Sequence, residues 1–466
     1  MDTKYTIAEA AKITKVSQRT LLRAIKNGNL KTEKAGRRHL ISERTLNSYL
    51  GGSNISLNDA LLTFLKNKKS EMVATLQKIV SMPSISSEIG QEEKLANYIK
   101  KRLDEWGIRC VVYKEGTSIA VRATYGFANE GFLLDSPLDT LPAGDSVKWT
   151  HPPFDGEVVN GKMYGRGTAD AKAGIVTQLY SLLFFKRNID EDKVRIELVF
   201  DGGEQDGEFL GMKQVIGRGL HVKAGLIGYS GDLEELMYGA RGYHRYEFEV
   251  NGKAVHTGSR YKKGVNAISN MVKFIESVEA QELPRSKNKL FPFGARLTFS
   301  IISGGRAINM IPDSCISKLD VRTIPEMKKK DVDEIIIKHI TRLKKKNPEF
   351  DVNFRYLTGQ EAYAISENDN LIKSLDFAVK RSMGSTLKHT ASGPAHVGNL
   401  LFECGISTAV WGPKGENAHS YDEYIEIDSL TKTVDIYVRT IAKYFDIDDS
   451  AVITNPSANY DVSDWS

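Results

Sequence analysis

The chain has 466 residues, 41% of them hydrophobic and 26% charged, which is room for two or three globular domains. No apolar run reaches the roughly 18–20 residues a membrane helix needs, and the polar start MDTKYTIAEA lacks a signal-peptide core, so a cytoplasmic protein is expected. The net charge of +5 is concentrated: residues 1–50 hold eleven Lys/Arg against four Asp/Glu, which points to a polyanionic partner for that one segment.

Residues 1–50 read as a compact helical unit. A short helix starts at Thr6-Ile7-Ala8-Glu9. Ser17 is a good cap for a second, on which Arg19, Arg23 and Lys26 recur one turn apart, and Gly28 ends it. A basic hairpin, Lys31–Ile41, carries Gly36-Arg37-Arg38. Ser42 then caps a third helix with Leu46 and Leu50 inward. From Tyr5 to Leu50 the segment resembles the excisionase and MerR-like winged helix-turn-helix family. That resemblance implies duplex DNA as partner, with the Arg-rich second helix in the major groove and Arg37 and Arg38 on phosphates. A basic docking module that touches protein is the other reading of the same residues.

Gly51-Gly52-Ser53-Asn54 has the composition of a flexible linker, placed at 51–58. The next helix puts Met72, Val73, Leu76, Ile79 and Val80 on one face and stops before Pro83. Short apolar strands then alternate with helices to about residue 240, at Ile108–Tyr113, Ser118–Arg122, Gly131–Leu134 and Ile196–Phe200, which is the α/β rhythm of a largely parallel sheet. Near Tyr243 the rhythm changes. Tyr246, Phe248 and Val250 alternate as a strand, followed by a helix over Val265–Ala280, strands at Arg296–Ser303 and Ser314–Arg322, a helix from Asp331 and a strand at Val352–Leu357. This β-α-β-β-α-β order predicts a ferredoxin-like domain, 241–358, inserted between two halves of the α/β domain, 59–240 and 359–450. The polar segment 451–466 is expected to be a flexible tail. Three cysteines, Cys110, Cys315 and Cys404, are too few for a disulfide framework and are expected to be buried packing residues.

The run Ser136–Gly174, SPLDTLPAGDSVKWTHPPFDGEVVNGKMYGRGTADAKAG, resembles the zinc hydrolases that include aminoacylases, glutamate carboxypeptidases, acetylornithine deacetylase and succinyl-diaminopimelate desuccinylase. The resemblance extends from about Asn58 to Phe445. It implies a zinc-exopeptidase-like mixed sheet with helices on both faces and an inserted ferredoxin-like domain serving as lid and dimerisation surface. It also implies two zinc ions that polarise an amide carbonyl and activate water, with a Glu as general base. Five metal ligands are then expected, and three positions depart. The His of a His-x-Asp pair is Pro137, with Asp139 remaining. The bridging Asp is Asp170. The Glu-Glu pair is Glu204-Gln205, so the base survives and the ligand becomes an amide. The acidic ligand after the next strand is replaced by Tyr229. The late His is His419, in AHSYDEY. A zinc site needs three or four good donors, so the expectation is at most one weakened site through Asp170, His419 and Gln205, and not two zinc ions. His396, in SGPAHVGN, is read as a core or surface histidine, with a rescuing ligand as the alternative.

The resemblance further matches His256 to a lid histidine that in relatives reaches a partner subunit's site and steadies an oxyanion. It matches Asn309 and Arg322 to residues that hold substrate carboxylate or carbonyl oxygens. An exposed turn residue and a strand salt bridge are the plainer readings of His256 and Arg322. Three functions follow: a dimeric DNA-binding regulator that senses a small carboxylate-bearing metabolite, a working amidohydrolase localised by its helix-turn-helix, or a structural dimer scaffold.

Overall fold

The computed structural model describes residues 4–14, 17–26, 30–35, 38–43, 45–46, 56–86 and 88–447. In the N-terminal unit Thr6 and Glu9 cap each other at the start of helix Ile7–Thr14: the Glu9 carboxylate accepts the Thr6 N–H at 2.8 Å, and the Thr6 hydroxyl accepts the Glu9 N–H at 3.4 Å. Helix Gln18–Lys26 follows directly after Ser17. Strand Arg38–Ser42 pairs antiparallel with both Lys4–Thr6 and Glu33–Ala35. A small core of Ala10, Leu21, Ala24, Leu30, Ile41 and Leu46 closes the unit. Ser42 Oγ accepts the Thr45 N–H at 3.2 Å, the start of the third predicted helix. Gly28, Arg37, Leu50, the Gly51–Asn54 linker and the tail 451–466 lie outside the described residues.

A helix longer than the sequence pattern suggests, Leu57–Val80, begins at Ser56, whose Oγ accepts the Asp59 N–H at 3.1 Å. It packs against helices Ala173–Asn188 and Ile427–Tyr444. The main sheet has the strand order Tyr363–Ala364, Glu235–Ala240, Ser407–Val410, Ala224–Ile227, Phe132–Pro137, Arg195–Asp201, Ser118–Gly126 and Cys110–Glu115, with Lys388–Ser392 also paired to Glu235–Ala240. The four central strands are parallel. Ser118–Gly126 and Cys110–Glu115 run antiparallel on one side, and Glu235–Ala240 lies antiparallel to Ser407–Val410 on the other. The sheet is therefore mixed. Side-chain alternation explains helices on both faces. Phe132 and Leu134 face the larger core, with helix Ala173–Asn188 buried along all but Lys186 and Arg187; Leu133 faces a second core with Met212, Val215, Val397 and Leu401.

The inserted unit has four antiparallel strands in the order Arg296–Gly304, Ser314–Thr323, Gly242–Asn251, Asp351–Gln360, with helices Ala267–Glu279 and Lys329–Lys346 on one face. Tyr246, Phe248 and Val250 are fully buried beneath those helices, as their alternation predicts. The opposite face of the sheet is open. Of the cysteines, Cys315 is buried, Cys110 is half-buried and Cys404 is exposed, so only one is a fully buried packing residue. No helix among the described residues is long and apolar enough to cross a membrane.

Candidate functional site

The parallel strands end on one side of the sheet, and their exits deliver the candidate residues to a common cleft, as expected for open α/β sheets. Strand Phe132–Pro137 leads to Asp139, which is wholly buried. Its carboxylate accepts the backbone N–H groups of Glu204 at 3.2 Å and Gln205 at 2.9 Å, tying the loop after Arg195–Asp201 to the loop after Phe132–Pro137. Burial nonetheless pushes the Asp139 carboxyl up to about 6.

Asp170 is presented by a loop that another residue organises. The wholly buried Glu423 carboxylate accepts N–H bonds from Ala169 at 2.8 Å, Asp170 at 2.9 Å and Gly167 at 3.1 Å, and pairs with the Arg166 guanidinium at 2.6 Å. Gly167 adopts φ +84°, and a Cβ there would sit 2.7 Å from Thr140 Cγ2. Beneath the loop Lys172 is fully buried and donates to the Met82 carbonyl at 2.7 Å; burial pulls its ammonium down to about 7.

Four of the donor positions and their replacements meet here. His419 Nε2 lies 2.5 Å from Asp170 Oδ2, and this contact pulls the imidazole upward. His419 itself sits at φ +64°, in the sparsely populated left-handed region. Gln205 Nε2 donates to Glu204 Oε2 at 2.9 Å and to Asp170 Oδ2 at 3.3 Å. The Tyr229 hydroxyl donates to Glu204 Oε1 at 2.9 Å. Burial, then the charges of Asp170 and Asp139, push the Glu204 carboxyl well above the usual range, and the Tyr229 bond opposes them. Tyr229 arrives because strand Ala224–Ile227 ends against Gly174, whose Cβ would fall 2.0 Å from the Gly228 carbonyl oxygen.

These residues do not fit a two-metal centre. Pro137 offers no donor atom. The amide of Gln205 and the hydroxyl of Tyr229 supply protons, not lone pairs, to the carboxylates a metal would need. Asp139 already spends its oxygens on backbone N–H groups. Among the described residues no three His, Cys, Asp or Glu converge on a metal-sized position.

The lid residues stand apart. His256 and Asn309 are neighbours on exposed loops, with His256 Nε2 3.5 Å from Asn309 Nδ2 and the Thr257 N–H donating to the Asn309 carbonyl at 2.9 Å. Neither makes a hydrogen bond with the cleft floor. Arg322 lies on strand Ser314–Thr323 and pairs with Asp320 at 2.7 Å. His396 is buried among Tyr229 and Tyr363, and its Nδ1 accepts the Gly398 N–H at 3.0 Å, which makes it a helix cap in the core. Arg19, Arg23 and Lys26 are exposed on helix Gln18–Lys26.

Sequence reasoning missed the roles of Glu423 and of Asp135 and Asp201. These last two are wholly buried side by side, and the two carboxyls interact with each other. Glu423 lies within the AHSYDEY run, a signal that marks the stretch but not its buttressing role.

Residues 133–443 match peptidase family M20/M25/M40. The chain belongs to this family. Residues 5–52 match a helix-turn-helix domain. An uncharacterized metallohydrolase of Methanocaldococcus jannaschii is 28% identical over 75% of this chain and 92% of its own length. A probable succinyl-diaminopimelate desuccinylase of Staphylococcus aureus is 24% identical over 82% and 99%. Among solved structures, an M20 family metallo-carboxypeptidase from Sulfolobus solfataricus superposes with a TM-score of 0.66 at 18% identity, covering 81% of this chain and 100% of its own. Aminopeptidase PepT from Bacillus cereus gives 0.67 at 20% identity, covering 81% and 98%. These likenesses place the M20 fold, with its mixed sheet, on this chain.

Proposed function

We propose that this M20 protein is a DNA-binding regulator whose hydrolase-like domain receives a small carboxylate-bearing metabolite, such as an N-acyl amino acid or peptide, and no longer holds a bimetallic hydroxide. The observation that carries this reading is the Gln205 amide bridging Glu204 and Asp170, with the Tyr229 hydroxyl on the other Glu204 oxygen. Hydrogen-bond donors there neutralise the carboxylates that a cation would otherwise neutralise. The helix-turn-helix supplies the DNA contact through Arg19, Arg23 and Lys26, with Arg37 and Arg38 on the hairpin. Asn309 and Arg322 supply ligand contacts. A homodimer, carried over from the family resemblance, presents two recognition helices to a pseudo-palindrome and brings His256 to a partner's cleft.

A working amidohydrolase is the second reading. It is favoured by the retained Asp170–His419 contact, which leaves donors for a single ion, by Glu204 as a base, and by relatives named as hydrolases. One experiment separates the two. Purified full-length protein is analysed for zinc per chain and for hydrolysis of N-acetyl and N-succinyl amino acids. Well under one zinc and no turnover are expected; about two zinc ions with rapid turnover would overturn the regulator reading. Duplex binding by the full chain is titrated in parallel against salt, where affinity is expected to fall steeply.

A further inference from the structure

The open face of the lid sheet carries a charge imbalance that the chain does not resolve. Arg296 and Arg322 are register partners on adjacent strands, and Arg322 in turn faces Tyr243. Two residues along, Asp320 faces Arg245. Asp320 is the carboxylate for both Arg322, at 2.7 Å, and Arg245, at 3.1 Å. Arg296 is exposed and forms no salt bridge among the described residues. These side chains and Lys318 line a trough of about 640 Å³. Lys318 is answered by Glu247 at 3.5 Å, which leaves three guanidiniums and the one Asp320 carboxylate bordering the concavity, with Thr298 and Ser300 along its side. Behind it Arg241, stacked 5.9 Å from the Phe293 ring centroid, has its guanidinium disfavoured by burial and by the charges of Arg322 and Arg296.

The trough adjoins the cleft. The guanidinium carbons of Arg245 and Arg322 lie 4.8 and 5.7 Å from the Tyr243 ring centroid, and the Tyr243 hydroxyl donates to the Gly207 carbonyl at 3.4 Å, in the loop that carries Glu204 and Gln205. Guanidinium forks recognise carboxylate and phosphate oxygens in pairs. With Asp320 shared by Arg322 and Arg245, a monoanion leaves one of the three guanidiniums unanswered. A group with two negative charges also engages the unpaired Arg296.

We propose that Arg296 and Arg245, beside Arg322, form a second anion subsite that takes the dianionic end of a small ligand, a dicarboxylate or a phosphate. The inference rests on the reading that the cleft receives a small anionic ligand. Absence of binding by all three anions used below fails that reading, whereas binding without a dianion preference fails the subsite alone, so the two fail separately.

The test is calorimetric titration of the full-length protein with succinate, inorganic phosphate and acetate at fixed ionic strength. The dianion that belongs here binds at least tenfold more tightly than acetate, and whichever of succinate and phosphate binds better identifies the source. Arg296→Ala is exposed on an edge strand and keeps the fold. It removes the preference for the dianion, so that succinate and phosphate bind no more tightly than acetate. Arg296→Lys retains part of the preference, because the charge stays and the fork is lost. Equal binding of acetate and both dianions, or an undiminished preference in Arg296→Ala, overturns the proposal. So does a variant that binds succinate normally but loses duplex affinity, which makes the face a nucleic-acid surface.

Discussion

The cleft floor and the lid treat their polar side chains in opposite ways. On the floor nearly every candidate residue is satisfied from within the chain: Asp139 by two backbone N–H groups, Glu204 by Tyr229 and Gln205, Asp170 by His419 and Gln205. On the lid His256 and Asn309 bond only to each other and to loop neighbours such as Gly258 and Thr257 among the described residues, and Arg296 forms no salt bridge among them. The floor answers its polar groups largely from within the chain, whereas His256, Arg296 and Asn309 on the lid are exposed to solvent. Under the regulator reading proposed above, that difference assigns recognition to the lid.

The strongest way to break that comparison is to remove the floor's buttress. Glu423→Ala deletes the acceptor of three N–H bonds and strands the Arg166 guanidinium, itself buried. Loss of one partner of a buried pair costs about 3–5 kcal/mol. Urea unfolding is expected to show a loss of that size. A loss below about 1 kcal/mol would mean that the loop around Asp170 is held by its own backbone, and the floor is less self-completing than it looks.

A second, smaller effect comes from Asp135 and Asp201. Burial raises both carboxyls, Asp135 to about 8, with Asp135 adding to the rise in Asp201. The sign follows from linkage. An unfolded aspartate ionises near about pH 3.9, while the buried acids keep their protons, so the folded state binds more protons between about pH 4 and pH 8. Their stability contribution is complete below that range and is lost as the pH rises through it, by at most about 1.4 kcal/mol per pH unit for each group. Asp135→Asn cannot ionise and offers Asp201 an N–H donor. Unfolding measured at pH 5 and pH 7.5 is expected to show a shallower decline in the variant than in the parent. An identical slope would show that these acids ionise freely where they are.

How much of this was legible beforehand depends on how local each feature is. The insertion of a ferredoxin-like unit was readable because Tyr246, Phe248 and Val250 alternate and the β-α-β-β-α-β order is sequential. The donor positions were readable because Asp139, Asp170, Glu204 and His419 sit in short runs. The mixed character of the sheet was not apparent in its strand patterns: Ser118–Gly126 begins with the consecutively buried Ser118, Ile119, Ala120 and Val121, so this antiparallel strand lacks a clean in-out alternation. The Glu423 buttress was hidden for another reason. Its partners are about 250 residues away in sequence, and only the fold brings them together. The substitutions at Gln205 and Tyr229 read as losses in the sequence; in the fold they are a hydrogen-bonded replacement.

The smallest expected effect concerns the N-terminal unit, where the comparison extends to a third kind of surface. On helix Gln18–Lys26, Leu21 and Ala24 are buried while Arg19, Arg23 and Lys26 are exposed, so the helix offers charge outward and forms no salt bridge among the described residues. Arg23→Ala should leave unfolding within about 0.5 kcal/mol of the parent, as expected for an exposed residue with no structural task. Its effect should appear in duplex binding, as a uniform weakening across sequences and a decrease of about one in the slope of log affinity against log salt, if Arg23 meets a phosphate. A larger, sequence-dependent loss would place Arg23 on a base edge instead. An unchanged slope would remove this helix from the DNA interface and leave the basic N-terminal unit as a protein-docking module.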